Sequence, residues 1–258
     1  MNVNIKNISC GYGKKIVISN LNLSFDTGES ICILGANGIG KTTFFKSLLG
    51  QVELLRSDIE VDGIPLKTIG NKDRAKVFAY VPQAKNYSYR FKVRDIILMG
   101  RASHIKELAS PSEEDYEIVD EVIKMLSLEE YEHRYYDELS GGEQQIVLLA
   151  RAIAQKSNYI LLDEPASNLD YFNQRKLISV INMLRKNGIG ILMVSHNPEH
   201  AFLCCEKALL IYKDGNYVFD DTDKCITSDN LTRLYEIPVG VADFKDENNN
   251  IRHISYLK

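Results

Sequence analysis

The first thirty residues carry β patterning. Val3, Ile5 and Ile8 mark one strand, and Ile16–Phe25 alternates apolar and polar side chains up to a turn at Thr27-Gly28. Ser30–Leu34 is a short apolar run that leads straight into a glycine-rich stretch. Lys41–Leu49 predicts a helix closed by Gly50. Ile59–Leu66 contains Asp62-Gly63, a hairpin signal, and Val77–Val81 predicts another strand. From Arg94 to Lys156 the period becomes helical. Ser112 can cap a helix whose apolar side holds Tyr116, Val119, Val122, Ile123 and Leu126. Strands and helices then alternate: Tyr159–Leu162 is a strand, Tyr171–Asn187 a helix stopped at Gly188, and Gly190–Val194 a strand. Lys207–Tyr212 and Asn216–Phe219 flank Asp214-Gly215, again hairpin chemistry, and residues 237–258 predict a last hairpin turning near 246–250. The pattern predicts an α/β fold: a β piece in front, a strand-loop-helix core, and a helical segment inserted at about 86–156.

Composition narrows the class. The chain has 258 residues, 45% apolar and 26% charged, which excludes a disordered chain and suits one large domain or a core with inserted subdomains. Lys and Arg number 31 against 35 Asp and Glu, a net charge of −4 that argues against a dedicated nucleic-acid binder. No run reaches the ~18 apolar residues of a membrane helix. Asn2, Asn4, Lys6 and Asn7 interrupt any N-terminal signal-like stretch, so the expected place is the cytosolic side of a membrane. The cysteines are Cys10, Cys32, Cys204, Cys205 and Cys225; without C-x-x-C spacing they read as buried or free thiols.

Gly35-Ala36-Asn37-Gly38-Ile39-Gly40-Lys41-Thr42 satisfies G-x-x-x-x-G-K-[ST] between a predicted strand and helix. Glycines let backbone N–H groups turn inward around phosphate, and the helix start adds positive potential. Lys41 supplies a charge for the β/γ-phosphates, and the Thr42 hydroxyl can ligate Mg²⁺. In Ile160-Leu161-Leu162-Asp163-Glu164 the strand carries Asp163 to the end of the sheet, where it can hold Mg²⁺ through water. Glu164 can polarise a water aimed at the γ-phosphate. These two elements fit a hydrolase or a kinase.

Leu139-Ser140-Gly141-Gly142-Glu143 opens a further helix. Ser140 and Glu143 form a capping box, which explains those two residues. Two glycines in a first turn, each costing roughly 1 kcal/mol against Ala, point to close backbone approach by an anionic ligand.

With these motifs in order, the chain resembles the ATP-binding cassette (ABC) family over nearly its whole length. Leu139–Gly142 matches the start of the family's LSGGQ signature, with Glu143 in fifth place. The resemblance implies a P-loop ATPase core with an N-terminal antiparallel β subdomain and an inserted helical subdomain, forming one domain over 1–258. It implies that Tyr12 stacks on adenine and that Gly35, Asn37, Gly38, Gly40, Lys41, Thr42 and Thr43 hold the phosphates. It further implies that Gln83 senses Mg²⁺ and the attacking water, that Asp170 lies in the D-loop after Ser167-Asn168-Leu169, and that His196 contacts the γ-phosphate. Catalysis then rests on Glu164, His196 and Gln83, and Mg²⁺ on Thr42, Gln83 and Asp163. In this family ATP is sandwiched between two cassettes. Ser140, Gly141 and Gly142 of one chain would meet the γ-phosphate held by Lys41 of a second copy.

Phe91–Arg101 followed by Ser103-His104, the stretch Pro111–Asp115, and Leu231–Val241 resemble the importer ATPases for iron-siderophore, haem and vitamin B12. That resemblance implies a peripheral subunit on the cytoplasmic face of the membrane, an integral-membrane permease, and indirectly an extracytoplasmic substrate-binding protein. Zinc or manganese import, and a non-transport role such as iron–sulfur assembly, are the alternatives. Two departures stand out. Glu143–Ile146 lacks the Arg common in relatives, expected to alter a surface contact, and Ile39 sits where a small residue is usual. The segment Gln83–His104 is expected to dock the permease through Tyr87, Tyr89, Arg90, Phe91, Lys92, Arg94 and Arg101.

Overall fold

The computed structural model describes residues 1–12, 15–52, 56–83, 90–106, 108–167, 169–245 and 251–257. In chain order the strands are β1 (Asn2–Tyr12), β2 (Lys15–Asp26), β3 (Ser30–Gly35), β4 (Arg56–Val61), β5 (Ile64–Pro65), β6 (Phe78–Val81), β7 (Tyr159–Asp163), β8 (Gly190–Val194), β9 (Lys207–Ile211), β10 (Tyr217–Asp221), β11 (Val239–Lys245) and β12 (Ile251–Leu257). The helices are α1 (Lys41–Leu48), α2 (Asn71–Val77), α3 (Val93–Met99), α4 (Glu113–Met125), α5 (Gly141–Ala154), α6 (Tyr171–Lys186), α7 (Pro198–Cys204), α8 (Thr222–Cys225) and α9 (Ser228–Tyr235).

A six-stranded sheet, ordered β10-β9-β3-β8-β7-β6, forms the centre; β9 through β6 run parallel and β10 is antiparallel at the edge. Its inner strands are apolar on both faces, as a covered parallel sheet requires. Residues alternate between two cores. Cys32, Leu34, Ile160, Leu162, Ile191 and Met193 face the helices. Ile31, Ile33, Tyr159, Leu161, Leu192 and Val194 face α1 and the N-terminal sheet, which is antiparallel in the order β2-β1-β4-β5. The Asp62-Gly63 hairpin forms as expected: φ is 49° at Asp62 and 78° at Gly63, the double left-handed turn of a two-residue loop.

The helices α3, α4 and α5 lie in sequence between β6 and β7, which are neighbours in the sheet. Ser112 caps α4 through a full box with Asp115. Val119, Val122, Ile123 and Leu126 are buried as predicted, but Tyr116 is 42% exposed. Arg101 and Asp115 form a buried ion pair at 2.9 Å, and Arg101 also donates to the Ala154 carbonyl at 2.8 Å, so one guanidinium ties the start of α4 to the far end of α5.

The structure differs from the sequence expectation in several short pieces. Val77 ends helix α2 rather than opening a strand. Three helices, α2, α7 and α9, have only 7, 7 and 8 residues, too short for an apolar period to stand out. The α7 start did carry a signal: Asn197 caps it and Pro198 occupies its first turn. β11 and β12 pair antiparallel, with the expected turn at 246–250 outside the described residues. Cys32, Cys204, Cys205 and Cys225 are buried free thiols; the Cys205 contact and then burial hold Cys204 well above the ordinary thiol range, and at Cys205 the lowering contact with Cys204 is outweighed by Cys32 and burial. Among the described residues no helix is long and apolar enough to cross a membrane.

Candidate active site

The site gathers at the C-terminal ends of β3, β7 and β8, where an open parallel sheet places its ligands. β3 delivers Gly35, and the chain turns through the exposed Asn37 and Gly38 to Gly40. Gly40 stands at the helix start with φ 102°, a conformation open to glycine, and no side chain caps α1. The first N–H groups of α1 therefore stay with the loop interior. Lys41 is only 5% exposed and its Nζ donates to the Gly35 and Ala36 carbonyls at 2.7 and 3.0 Å. Burial pushes its pKa down, while Glu164 and Asp163 oppose that shift. Thr43 is buried beside it.

β7 delivers Asp163, 7% exposed. Its Oδ2 accepts from the Thr42 hydroxyl and from the Tyr80 phenol, both at 2.9 Å. Burial, then the Asp163 charge, raise the Tyr80 pKa, so the phenol remains a donor at neutral pH. Glu164 follows in the left-handed region at φ 51°, its N–H held by the Val194 carbonyl at 3.1 Å. Such a conformation costs a side-chain-bearing residue about 1–2 kcal/mol and aims the carboxylate back across the sheet end. There Glu164 Oε1 meets His196 Nε2 at 2.5 Å.

The loop after β8 is fixed from behind. Ser195 N donates to the Ile33 carbonyl, and Ser195 Oγ lies 2.8 Å from His200 Nδ1. Burial lowers the His200 pKa, which keeps that imidazole neutral. The Tyr235 phenol, pushed up to about 12 by burial, donates to the His196 carbonyl at 2.9 Å. Tyr80, Ser195, His200 and Tyr235 were not anticipated. Tyr80 could have been found, since period-2 register puts it on the same face of β6 as Leu161 and Asp163 on β7. Tyr235 lies 39 residues from its partner and carries no sequence signal.

Gln83 Nε2 donates to Ser167 Oγ at 2.9 Å, beside the segment that leads to Asp170. Asp170 caps α6 by accepting from Asn173 N at 2.8 Å; Asn168 and the Tyr12 side chain lie outside the described residues. At the start of α5 the Ser140–Glu143 box forms in full, with Ser140 N and Oγ donating to Glu143 Oε2 at 2.7 and 2.8 Å. The two glycines differ. A Cβ at Gly141 would meet nothing within 4 Å, whereas at Gly142 it would meet Asn173 Nδ2 at 2.8 Å. Packing against α6 thus gives Gly142 a reason within the chain.

The surface reading of Glu143–Ile146 needs correction. Gln144 and Gln145 are 7% and 3% exposed, so this departure is not at the surface. Gln144 donates to the Tyr136 and Leu139 carbonyls, and Gln145 to the Pro82 carbonyl at 3.3 Å, next to Gln83. The bases of 83–104 are also largely engaged within the chain. Arg90 pairs with Asp137 and Glu138, Arg94 with Asp120 and Glu132, and Arg101 is buried on Asp115. Phe91 packs against the core, and Tyr87 and Tyr89 lie outside the described residues.

Thr42 and Asp163 offer hard oxygen donors, and among the described residues no cluster of three or more His, Cys, Asp or Glu could hold a metal. One hydroxyl and one carboxylate fit Mg²⁺, which keeps waters and takes phosphate oxygens, and do not fit an all-protein cage.

A sequence profile described as ABC transporter matches residues 18–167. The chain is 33% identical to an iron chelatin transport ATP-binding protein of Helicobacter pylori, covering 93% of this chain and 94% of that one. It is also 33% identical to the molybdate import ATP-binding protein MolC of Haemophilus influenzae, over 92% and 89%. A solved chain described as an inward-facing conformation of a metal-chelate type ABC transporter superposes with a TM-score of 0.87 at 30% identity, covering 99% of this chain and 98% of that one. With the phosphate loop and the β7 carboxylates on one sheet end, this chain belongs to the ABC transporter family and is one of its ATP-hydrolysing subunits.

Proposed function

We propose that the chain powers import of a metal chelate, with iron-siderophore, haem or cobalamin as the cargo class. It would work as a pair of identical copies beneath an integral-membrane permease, on the cytoplasmic face, with an extracytoplasmic binding protein feeding the permease. The observation that carries the cargo class is the end-to-end likeness to the metal-chelate type transporter chain, supported by the relative named for iron chelatin.

In this reading, Lys41 exchanges the carbonyls of Gly35 and Ala36 for the β/γ-phosphates of ATP. The open N–H groups of the loop and α1 bind the remaining phosphate oxygens. Thr42 and Asp163, already paired, are the residues that would hold Mg²⁺, which supplies charge neutralisation on the phosphates. Glu164 takes a proton from the attacking water, and His196, released from Glu164, reaches the γ-phosphate. Gln83 leaves Ser167 for the same water. Among the described residues, the hydrogen bonds of the Ser140 side chain run to Glu143, within its own helix start. That supports a site completed by Ser140, Gly141 and Gly142 of a second copy.

A groove of about 480 Å³ runs between α1, α2, β6, α3 and α5, bordered by Gln51, Arg74, Met99 and Arg151. Met99 is 44% exposed there, and the buried Nε of Arg74 has no hydrogen-bond partner. We assign this groove, rather than the bases of 83–104, to the permease. A molybdate importer is the second reading, favoured by the MolC relative. Deleting the gene in its own host and following uptake of labelled ferric siderophore, haemin and molybdate separates the two. Loss of chelate uptake with molybdate unchanged is expected; the opposite pattern overturns the chelate reading.

A further inference from the structure

Asp163 is a buried carboxylate whose Oδ2 takes two donors, and those donors differ in kind. Thr42 belongs to the phosphate loop and has its own task when nucleotide arrives. Its hydroxyl oxygen is needed as a ligand, so its grip on Asp163 changes with the state of the site. Tyr80 lies outside the phosphate loop. It stands on β6, in register with Leu161 on β7, so its side chain lies on the sheet face that carries Asp163 two residues on. Its ring packs edge-on against Phe45, 6.5 Å between centroids, on the helix that Lys41 and Thr42 begin. The ring is therefore held against α1, and its O–H reaches Oδ2 at 2.9 Å.

A carboxylate buried at a strand end costs free energy unless its oxygens are satisfied, and it can rotate about two side-chain bonds unless something fixes it. A rigid phenol does both. Three residues further along the same chain stands Gln83, so the strand that positions the sensor glutamine also positions this donor. We propose that Tyr80 is a positioning residue that sets the Mg²⁺ response of the nucleotide site by fixing the orientation of the Asp163 carboxylate. The inference rests on the reading of Asp163 as the carboxylate that faces Mg²⁺.

The test is a fluorescence titration of the purified protein with a mant-labelled ATP, once in EDTA and once in excess Mg²⁺. The quantity read is the gain in affinity that Mg²⁺ brings. Wild type, Asp163→Asn, Tyr80→Phe and Tyr80→Leu are compared. Asp163→Asn should abolish the gain. Tyr80→Phe, which keeps the ring and its packing, should reduce it about 5- to 20-fold, the loss of one hydrogen bond to a charged group, and leave affinity in EDTA unchanged. A full gain in Asp163→Asn overturns the reading of Asp163 and the role of Tyr80 with it. A full gain in Tyr80→Phe, with the gain lost in Asp163→Asn, keeps the site and overturns the role of Tyr80. A loss confined to Tyr80→Leu also overturns it, since ring packing would then be the whole contribution.

Discussion

Two helices in this molecule start on glycine-rich turns, and they start differently. The start of α1 has no side-chain cap, Gly40 in the left-handed region, and a lysine folded onto the carbonyls of its own loop. The start of α5 is closed by the reciprocal Ser140–Glu143 box, with Gly141 facing open space. Among the described residues no side chain caps the first turn, and Lys41, Thr42, Asp163 and Tyr80 gather beside it. The second pairs the Ser140 and Glu143 N–H groups through its box and gathers no charged partner from the phosphate loop among the described residues. Under the proposed function, the first is the phosphate cradle of the chain. The other is a capped end, which in that reading would meet the phosphates held by a second copy.

The largest effect should come from the cradle side. Glu164→Gln should retain MgATP binding and slow hydrolysis about 10²–10⁴-fold, the usual worth of a general base. It should then accumulate as an ATP-bound pair, seen by light scattering; near-normal turnover would remove Glu164 from that role.

The second prediction concerns how firmly α5 is held. Asp115→Ala strands Arg101, the residue that also grips the Ala154 carbonyl at the end of α5, and should cost about 3 kcal/mol in urea unfolding. Burial acts to raise the Asp115 pKa, but the Ser112 N–H and hydroxyl and the Arg101 guanidinium outweigh it and hold it low. The stabilisation is thus present above the ordinary carboxylate range and is lost as pH falls through the lower folded value. Wild type should lose stability in acid more steeply than Asp115→Ala. Parallel pH curves would mean that the pair contributes nothing.

How much of this was readable in the sequence differs between the two helix starts. The α1 turn was legible because its motif is local: a strand, a fixed glycine spacing and Lys41 lie within twelve contiguous residues. The capping box of α5 was equally local. What closes around them was not. Tyr80 reaches Asp163 across 83 residues, and Tyr235 reaches the His196 carbonyl across 39, contacts set by sheet register and tertiary docking rather than by spacing. The ion pairs of the bases in 83–104 were hidden for a related reason. Their charge suggested a solvated interface, while their carboxylate partners, Asp115, Asp120, Glu132, Asp137 and Glu138, come from later in the helical segment. Gln145 likewise reads as a surface residue in the sequence, whereas its bond to the Pro82 carbonyl lies inside the chain.

Smaller effects refine the contrast. Ser140→Ala should lower stability by about 1 kcal/mol through the lost cap while leaving nucleotide affinity of the single chain unchanged. Gly141→Ala, with open space around its Cβ, should not lower the melting temperature, yet should reduce ATP-driven pairing and hydrolysis. If Gly141→Ala hydrolyses ATP normally, the exposed glycine has no ligand to meet.

The shared site is tested most directly by mixing two inactive chains, Lys41→Ala and Ser140→Ala, and measuring ATP hydrolysis. In a mixed pair, one site combines the intact phosphate loop of one chain with the intact Ser140 turn of the other. Activity, absent from either variant alone, should return to roughly a quarter of wild type on random pairing with independent sites. If the mixture stays as inactive as its components while mixed pairs demonstrably form, the two helix starts do not complete one another across copies, and the central claim is wrong.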